Sequence, residues 1–143
     1  MMYQTILVPV DLSDKHSWRK AIPTAVTLCE AFDAGLIVMT VIPDIGMPVV
    51  GQYLPQDFSV RVKQQVSGQM KAFVQAQIPP GIEVQQRVAI GKIYQEIIHA
   101  AAEAEVDLIV MGSHHPELKD YLLGPNAARV VRHAKHSVMV IRD

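Results

Sequence analysis

Five short apolar runs alternate along this chain with segments whose apolar residues recur at helical spacing. The runs cover residues 6–10, 36–42, 82–90, 108–111 and 137–142. A run that is apolar at nearly every position is typical of a strand buried on both faces; the third run alternates instead and is predicted to be more exposed. Strands that alternate with helices pair in parallel through right-handed crossovers. The pattern therefore predicts an α/β fold whose open parallel sheet is covered by helices on both faces.

The helical segments are bounded by proline and glycine. They are predicted over residues 15–32, from residue 58 to the stop at 79–81, from Gly91 onward and from residues 124–126 onward. Pro23 interrupts the first segment, and a proline inside a helix removes a hydrogen bond, so a kink or a late start is predicted there. Residues 43–56 contain three prolines and two glycines and are predicted to form a long loop.

Length and composition limit the class of protein. A chain of 143 residues has the size of one domain, so residues 1–143 are expected to form a single domain. The formal net charge of -1 gives no basic surplus for binding nucleic acid. No signal peptide or membrane-spanning run is recognised, and the one cysteine, Cys29, cannot form an internal disulfide. We therefore expect a cytoplasmic protein with neither a nucleic acid nor a membrane as partner.

The segment 107–134 carries the clearest signal of a binding site. An apolar strand breaks at Gly112, a polar loop follows, and a helix begins at Gly124-Pro125-Asn126. Glycine lets the backbone approach a ligand closely, while the free N–H groups and the dipole of a helix N-terminus favour an anion. The spacing predicts a phosphate site but does not identify the ligand.

Together with ILVPVDLSD (residues 6–14) and HSVMVIR (136–142), this segment resembles the universal stress protein family. Members are small α/β domains, usually dimers, and many bind ATP or another adenine nucleotide. The family's nucleotide motif is glycine, two residues, glycine, nine residues, glycine, then serine or threonine. Here Gly112 matches the first glycine, His115 replaces the second, the spacer is one residue short, and Pro125 follows Gly124. The sequences SHHP and YLLGPNAA resemble a branch in which the second glycine is also replaced.

The resemblance implies a Rossmann-like fold of the adenine nucleotide alpha hydrolase-like type, a single domain with strand order 3-2-1-4-5. This order reverses between strands one and four, and ligands of such sheets bind at the reversal of the strand order. The nucleotide-binding residues expected on this basis are Pro9, Val10, Asp11, Val41, Met111, Gly112, Ser113, His114, His115, Gly124, Pro125, Asn126 and Ala127.

Each expected contact also has an ordinary structural interpretation. Asp11 is suited to accept hydrogen bonds from ribose hydroxyls, or to help hold a metal through the phosphates, and is equally suited to cap a helix. Val41 and Met111 would clamp an adenine ring, or are simply core residues. Residues 112–115 and 124–127 would cradle phosphates, or are glycines that a turn requires.

Pro125 is well placed as a first helical residue but is a poor phosphate ligand. It offers neither the hydroxyl nor the N–H of the family's serine, and each missing donor to an anion costs about 1.5 to 3 kcal/mol. The amides of Asn126 and Ala127, with His114 or His115, remain as donors. Weaker binding or a shorter nucleotide is therefore expected.

Three functions are compatible with these residues. The first is a regulatory protein that binds ATP, ADP or AMP, with or without Mg²⁺, in a stress response. The second is a dimeric interaction module that binds no nucleotide, which His115 and Pro125 favour. The third, an enzyme that consumes ATP, ranks last, since no catalytic constellation is recognised and only slow hydrolysis is conceivable. No metal site is expected, because the histidines lack zinc spacing.

Two surface features suggest partners. The last helix has a basic side of Arg129, Arg132, His133 and Lys135, either solvated or in contact with phosphate or another protein. The last strand lies at a sheet edge in the implied order, yet it is apolar on both faces. Its residues Ser137, Val138, Met139, Val140, Ile141 and Arg142 are predicted to pair with a two-fold mate in a homodimer. The protein that such a dimer would regulate is not indicated by the sequence.

Overall fold

The computed structural model describes residues 2–43, 58–113 and 125–143. Its five strands are β1 (Thr5–Pro9), β2 (Gly35–Pro43), β3 (Val84–Gly91), β4 (Leu108–Ser113) and β5 (Ser137–Arg142). Its helices are α1 (Ala21–Phe32), α2 (Phe58–Gln77), α3 (Ile93–Glu103) and α4 (Pro125–His133), with one 3-10 turn at Lys15–Ser17.

All strand pairs are parallel, and the order is β3-β2-β1-β4-β5. This confirms the predicted fold class and strand order. The reversal lies at β1, which pairs with β2 on one side and with β4 on the other. The carboxyl ends of β1 and β4 therefore meet at the same edge of the sheet, as expected for a ligand site.

The sheet separates two hydrophobic cores. Along β1, Ile6 and Val8 face a core shared with α1 and α2, while Leu7 faces a core shared with α3 and α4. All three side chains are fully buried, and burying such a residue contributes about 1.5 to 3 kcal/mol. Burial on both faces explains why the central strands are continuously apolar.

Helix α1 begins late, as one of the two alternatives at Pro23 predicts. The helix starts at Ala21, so Pro23 is its third residue, where a backbone N–H would have no partner inside the helix. The helix ends at Asp33, whose φ of 53° is left-handed and whose N–H donates to the carbonyl of Cys29. The polypeptide then turns directly into β2.

Two boundaries differ from the sequence predictions. Strand β4 does not break at Gly112 but continues to Ser113, and Gly112 pairs in register with Ile141 of β5. Gly91 is the last residue of β3, and α3 begins at Ile93. The predicted loop 43–56 lies outside the described residues except for Pro43, which ends β2. Within the described ranges, no helix is long and apolar enough to cross a membrane.

Candidate functional site

A cleft of about 330 Å³ opens at the carboxyl ends of β1 and β4. Nine of the residues predicted from the sequence line it: Pro9, Val10, Asp11, Val41, Met111, Gly112, Pro125, Asn126 and Ala127. Ser113, the last residue of β4, is not among the lining residues. His114, His115 and Gly124 lie outside the described residues. The two stretches predicted to form the site, after β1 and after β4, are thus brought together by the fold.

The remaining lining residues were not predicted. They are Ser13, Asp14, Ser17, Pro43, Ile93 and Ile97. The motif ILVPVDLSD already contains Ser13 and Asp14, so extending the site along that motif would have found them. Ile93 and Ile97 are four residues apart on one side of α3. Periodicity alone cannot show which apolar residues of a helix line a cleft and which only pack on the sheet.

One wall of the cleft is apolar. Met111 and Ile97 belong to the core beneath α3 and α4, and Val41 and Ile93 pack against it. Met111 is 6% exposed. The two interpretations of Met111 are therefore compatible, because it is a core residue whose surface forms part of the cleft. An apolar wall beside a few polar groups is the usual construction of a small-molecule site.

A polar wall of the cleft carries the carboxylate of Asp11. Its Oδ1 accepts hydrogen bonds from the N–H of Ser13 (3.0 Å) and from the Ser13 hydroxyl (2.7 Å). The interpretation of Asp11 as a helix cap is wrong, because the cap of the Lys15–Ser17 turn is Asp14, whose Oδ1 accepts from the N–H of His16 at 3.0 Å. Asp11 instead closes a short turn of its own. Among the described residues no hydrogen bond is made to its Oδ2.

Residues 14–17, which we call the cleft turn, complete this wall. The Ser17 hydroxyl accepts from the N–H of Asp11 at 2.9 Å, and it lies 2.8 Å from the carbonyl oxygen of Asp14 and 3.1 Å from that of Asp11. One side chain thus ties the cleft turn to the end of β1. Asp14 and Ser17 both line the cleft.

The backbone of the cleft turn packs closely against Gly112 of β4. A Cβ at this position would overlap the carbonyl oxygen of Ser17, and it would lie 2.9 Å from the Ser17 carbonyl carbon and 3.2 Å from the His16 oxygen. Glycine is therefore required here by the packing of one backbone on another. The motif glycine has this structural role whether or not a phosphate binds nearby.

The charge of the cleft is acidic in the part that the structure describes. Asp11 and Asp14 are the two carboxylates that line it, and no lysine, arginine or histidine does so among the described residues. Phosphate donors available there are the amides near the start of α4, where the helix dipole favours an anion. Pro125 is the first residue of α4 and contributes none.

The basic side of α4 is partly engaged by α3. The guanidinium carbon of Arg129 lies 5.6 Å from the centre of the Tyr94 ring on α3. The centres of the Tyr94 and His133 rings are 5.7 Å apart. These two residues are therefore held against α3. In the described ranges, no group of three or more histidine, cysteine or acidic residues is placed to hold a metal ion.

The similarity to known proteins extends over nearly the whole chain. Residues 2–142 match the Universal stress protein family. The chain is 28% identical to Universal stress protein G of Escherichia coli O157:H7 over 99% of this chain and 100% of that protein. Its fold is similar to Universal stress protein UspA from Lactobacillus plantarum, with a TM-score of 0.73 and 26% identity over 98% of each chain. It is also similar to a universal stress protein in complex with cAMP, with a TM-score of 0.61 and 25% identity over 98% of this chain and 97% of that one.

Proposed function

The chain belongs to the universal stress protein family, and we propose that it binds an adenine nucleotide, ATP, ADP or AMP, as a regulatory ligand in a stress response. The observation that carries the proposal is the cleft at the strand reversal, which combines an apolar wall with the Asp11 carboxylate. A similar protein of the family was solved in complex with cAMP, which supports an adenine ligand.

The proposed placement assigns each part of the nucleotide to one wall. The adenine ring packs on the apolar surface of Val41 and Met111. The ribose hydroxyls donate to Asp11, whose Oδ1 is already used by Ser13. The phosphates point towards the amides of Asn126 and Ala127 near the start of α4.

The acidic lining of the cleft affects how nucleotides of different charge would bind. The carboxylates of Asp11 and Asp14 repel a polyphosphate at close range. A magnesium ion bound to ATP or ADP offsets part of this repulsion, whereas AMP needs less compensation. We therefore propose that Mg²⁺ accompanies the longer nucleotides and improves their binding more than that of AMP.

We propose binding rather than turnover. The described residues that line the cleft include one hydroxyl close to a carboxylate, that of Ser13, which lies 2.7 Å from Asp11. Both residues are exposed, and neither is accompanied in the described residues by a positively charged side chain that would stabilise a phosphoryl transition state. Any ATP hydrolysis is expected to be slow.

A dimeric interaction module without nucleotide is the second candidate. It is favoured by Gly112, which matches the family's first motif glycine but which close packing against Ser17 already requires without a ligand. The acidic lining of the cleft favours it too.

We further propose that β5 forms the homodimer contact. It is the edge strand next to β4. Val138 packs on one core and Met139 and Ile141 on the other, so the strand is apolar on both faces while its outer backbone groups have no strand partner within the described chain. Edge strands of this kind pair readily with another copy.

Calorimetric titration with ATP, ADP and AMP, with and without Mg²⁺, tests the nucleotide proposal. The variant Asp11→Asn keeps the Oδ1 acceptor for Ser13 but loses the charge, and it should weaken AMP binding by about tenfold or more, the value of a hydrogen bond to a charged group. Glu103→Gln, on α3, is the control and should bind like the parent. Folded protein that binds none of the three nucleotides would refute the proposal and favour the second candidate, and phosphate release above a protein-free blank would point to an enzyme.

A further inference from the structure

The cleft turn is contacted from outside the cleft by the residue that follows β5. The Asp143 carboxylate approaches His16 through Oδ2, 2.5 Å from the ring Nδ1, and it accepts from the Nε–H of Arg19 through Oδ1, also at 2.5 Å. His16 is part of the cleft turn, and Arg19 lies between that turn and α1. A single side chain thus bridges two points on the segment that forms the polar wall.

The carboxylate is enclosed although its partners are not. The Asp143 side chain is 1% exposed, while those of His16 and Arg19 are 38% and 44% exposed. The Arg19 hydrogen bond, together with that of His16, lowers the pKa of Asp143 to about 2 against the opposing effect of burial. Asp143 is therefore a fixed negative charge at neutral pH.

The strand register places this contact beside the close approach at Gly112. In β4 and β5, Gly112 pairs with Ile141 and Ser113 with Arg142, so Asp143 follows immediately beyond. The cleft turn therefore rests on β4 at Gly112, is tied to β1 by Ser17, and is held from the β5 side by Asp143.

We propose that Asp143 is a positioning residue of the cleft, which acts through His16 and Arg19 to hold the cleft turn, whose Ser17 hydroxyl in turn fixes the backbone of Asp11 beside the ribose. The proposal rests on the nucleotide function above for its effect on affinity, but not for its effect on the cleft turn. Without Asp143 the turn keeps its attachment to β1 at Ser17 and loses the Asp143 contacts to His16 and Arg19. It then samples positions in which the polar wall no longer matches the ligand, and loss of preorganisation weakens binding.

A general loss of stability would not explain such an effect. The two partners are more than a third exposed, so they regain water when Asp143 is replaced, and ion pairs of that kind contribute little to global stability. The expected change is confined to the cleft turn, with β1 and β2 unaffected.

The chain offers a matched control. Glu103 on α3 also bridges an arginine and a histidine, with Oε1 2.8 Å from Arg87 and Oε2 3.1 Å from His99. None of these three residues lines the cleft. Glu103→Gln therefore removes a carboxylate that also bridges an arginine and a histidine, here on the surface and away from the site.

The test combines amide hydrogen exchange without ligand and AMP titration, on the parent, Asp143→Asn, Arg19→Gln and Glu103→Gln. The reporters are three backbone amides of this segment. The N–H of Ser17 donates to the carbonyl of Asp14, and those of Trp18 and Arg19 both donate to the carbonyl of Lys15. In Asp143→Asn and Arg19→Gln they should exchange faster, with unchanged protection in β1, and AMP affinity should fall by about fivefold, the lower range of coupling between sites. Glu103→Gln should change neither quantity.

Unchanged exchange of the three reporters in Asp143→Asn would overturn the proposal. If the parent binds AMP, an Asp143→Asn variant with the same AMP affinity as the parent would also overturn it. If the parent binds no nucleotide, the proposed function fails, and the exchange comparison alone then decides whether Asp143 positions the cleft turn.

Discussion

At the scale of single residues, Gly112 and Asp11 show how a sequence motif can combine structural and ligand-binding roles. Gly112 was selected as a phosphate contact, yet its immediate requirement is space for the carbonyl oxygen of Ser17. The sequence suits Asp11 both to a ribose contact and to a helix cap, and the cap is Asp14, three residues later. Both positions were predicted to lie at the site, and both line the cleft. Their hydrogen bonds and contacts could not be predicted, because these depend on how the cleft turn folds back on β4.

The packing at Gly112 predicts a stability effect in the absence of any ligand. Gly112→Ala should lower the free energy of unfolding by about 1 to 3 kcal/mol, the usual cost of overpacking, because backbone rather than a flexible side chain must move. Urea denaturation measures it. Gly68→Ala is the control: Gly68 lies inside α2, where a Cβ meets no atom within 4 Å, and this change should stabilise by about 0.5 to 1 kcal/mol. Equal behaviour of the two variants would contradict the close approach at Gly112.

At the scale of elements, the sequence predicts the strands better than it predicts what joins them. The apolar runs that became β1 and β2 are buried on both faces, so their composition alone identifies them. The end of β4 was placed too early, because Gly112 was interpreted as a break although β5 continues the pairing to Ser113. The link from Asp143 to His16 joins residues 127 positions apart, and no local pattern encodes it.

That link predicts how stability depends on pH. The pKa of Asp143 is lowered from the ordinary value of 3.8 to about 2 by Arg19 and His16. A carboxylate with a lowered pKa stabilises the fold fully above its unfolded value, and the contribution is lost as the pH falls through its folded value. Asp143→Asn should therefore melt slightly below the parent at pH 7, and the difference should vanish between about pH 4 and pH 2. Thermal unfolding monitored by circular dichroism measures this. A difference that stays constant down to pH 2 would show that the ion pairs do not stabilise the fold.

At the scale of the whole molecule, the two edges of the sheet differ. Strand β3 forms one edge and exposes Gln85 and Gln86, polar side chains that discourage pairing with other chains. Strand β5 forms the other edge and presents four consecutive apolar residues between Ser137 and Arg142. Since an exposed apolar edge favours association, the difference supports the proposed pairing through β5 rather than through β3.

Val140→Lys tests this assembly with little disturbance of the core. Val138 packs on one core and Met139 and Ile141 on the other, whereas Val140 is part of neither, so a lysine there should leave the protomer folded. A two-fold pair of β5 strands would bring both lysines into one contact, and like charges across a strand pair destabilise it. Sedimentation velocity at micromolar concentration should show a dimer for the parent and a monomer for Val140→Lys. Gln85→Lys, which adds the same charge to the β3 edge, should remain dimeric. A parent protein that sediments as a monomer would refute pairing through β5, and a Gln85→Lys variant that dissociates as fully as Val140→Lys would place the contact elsewhere.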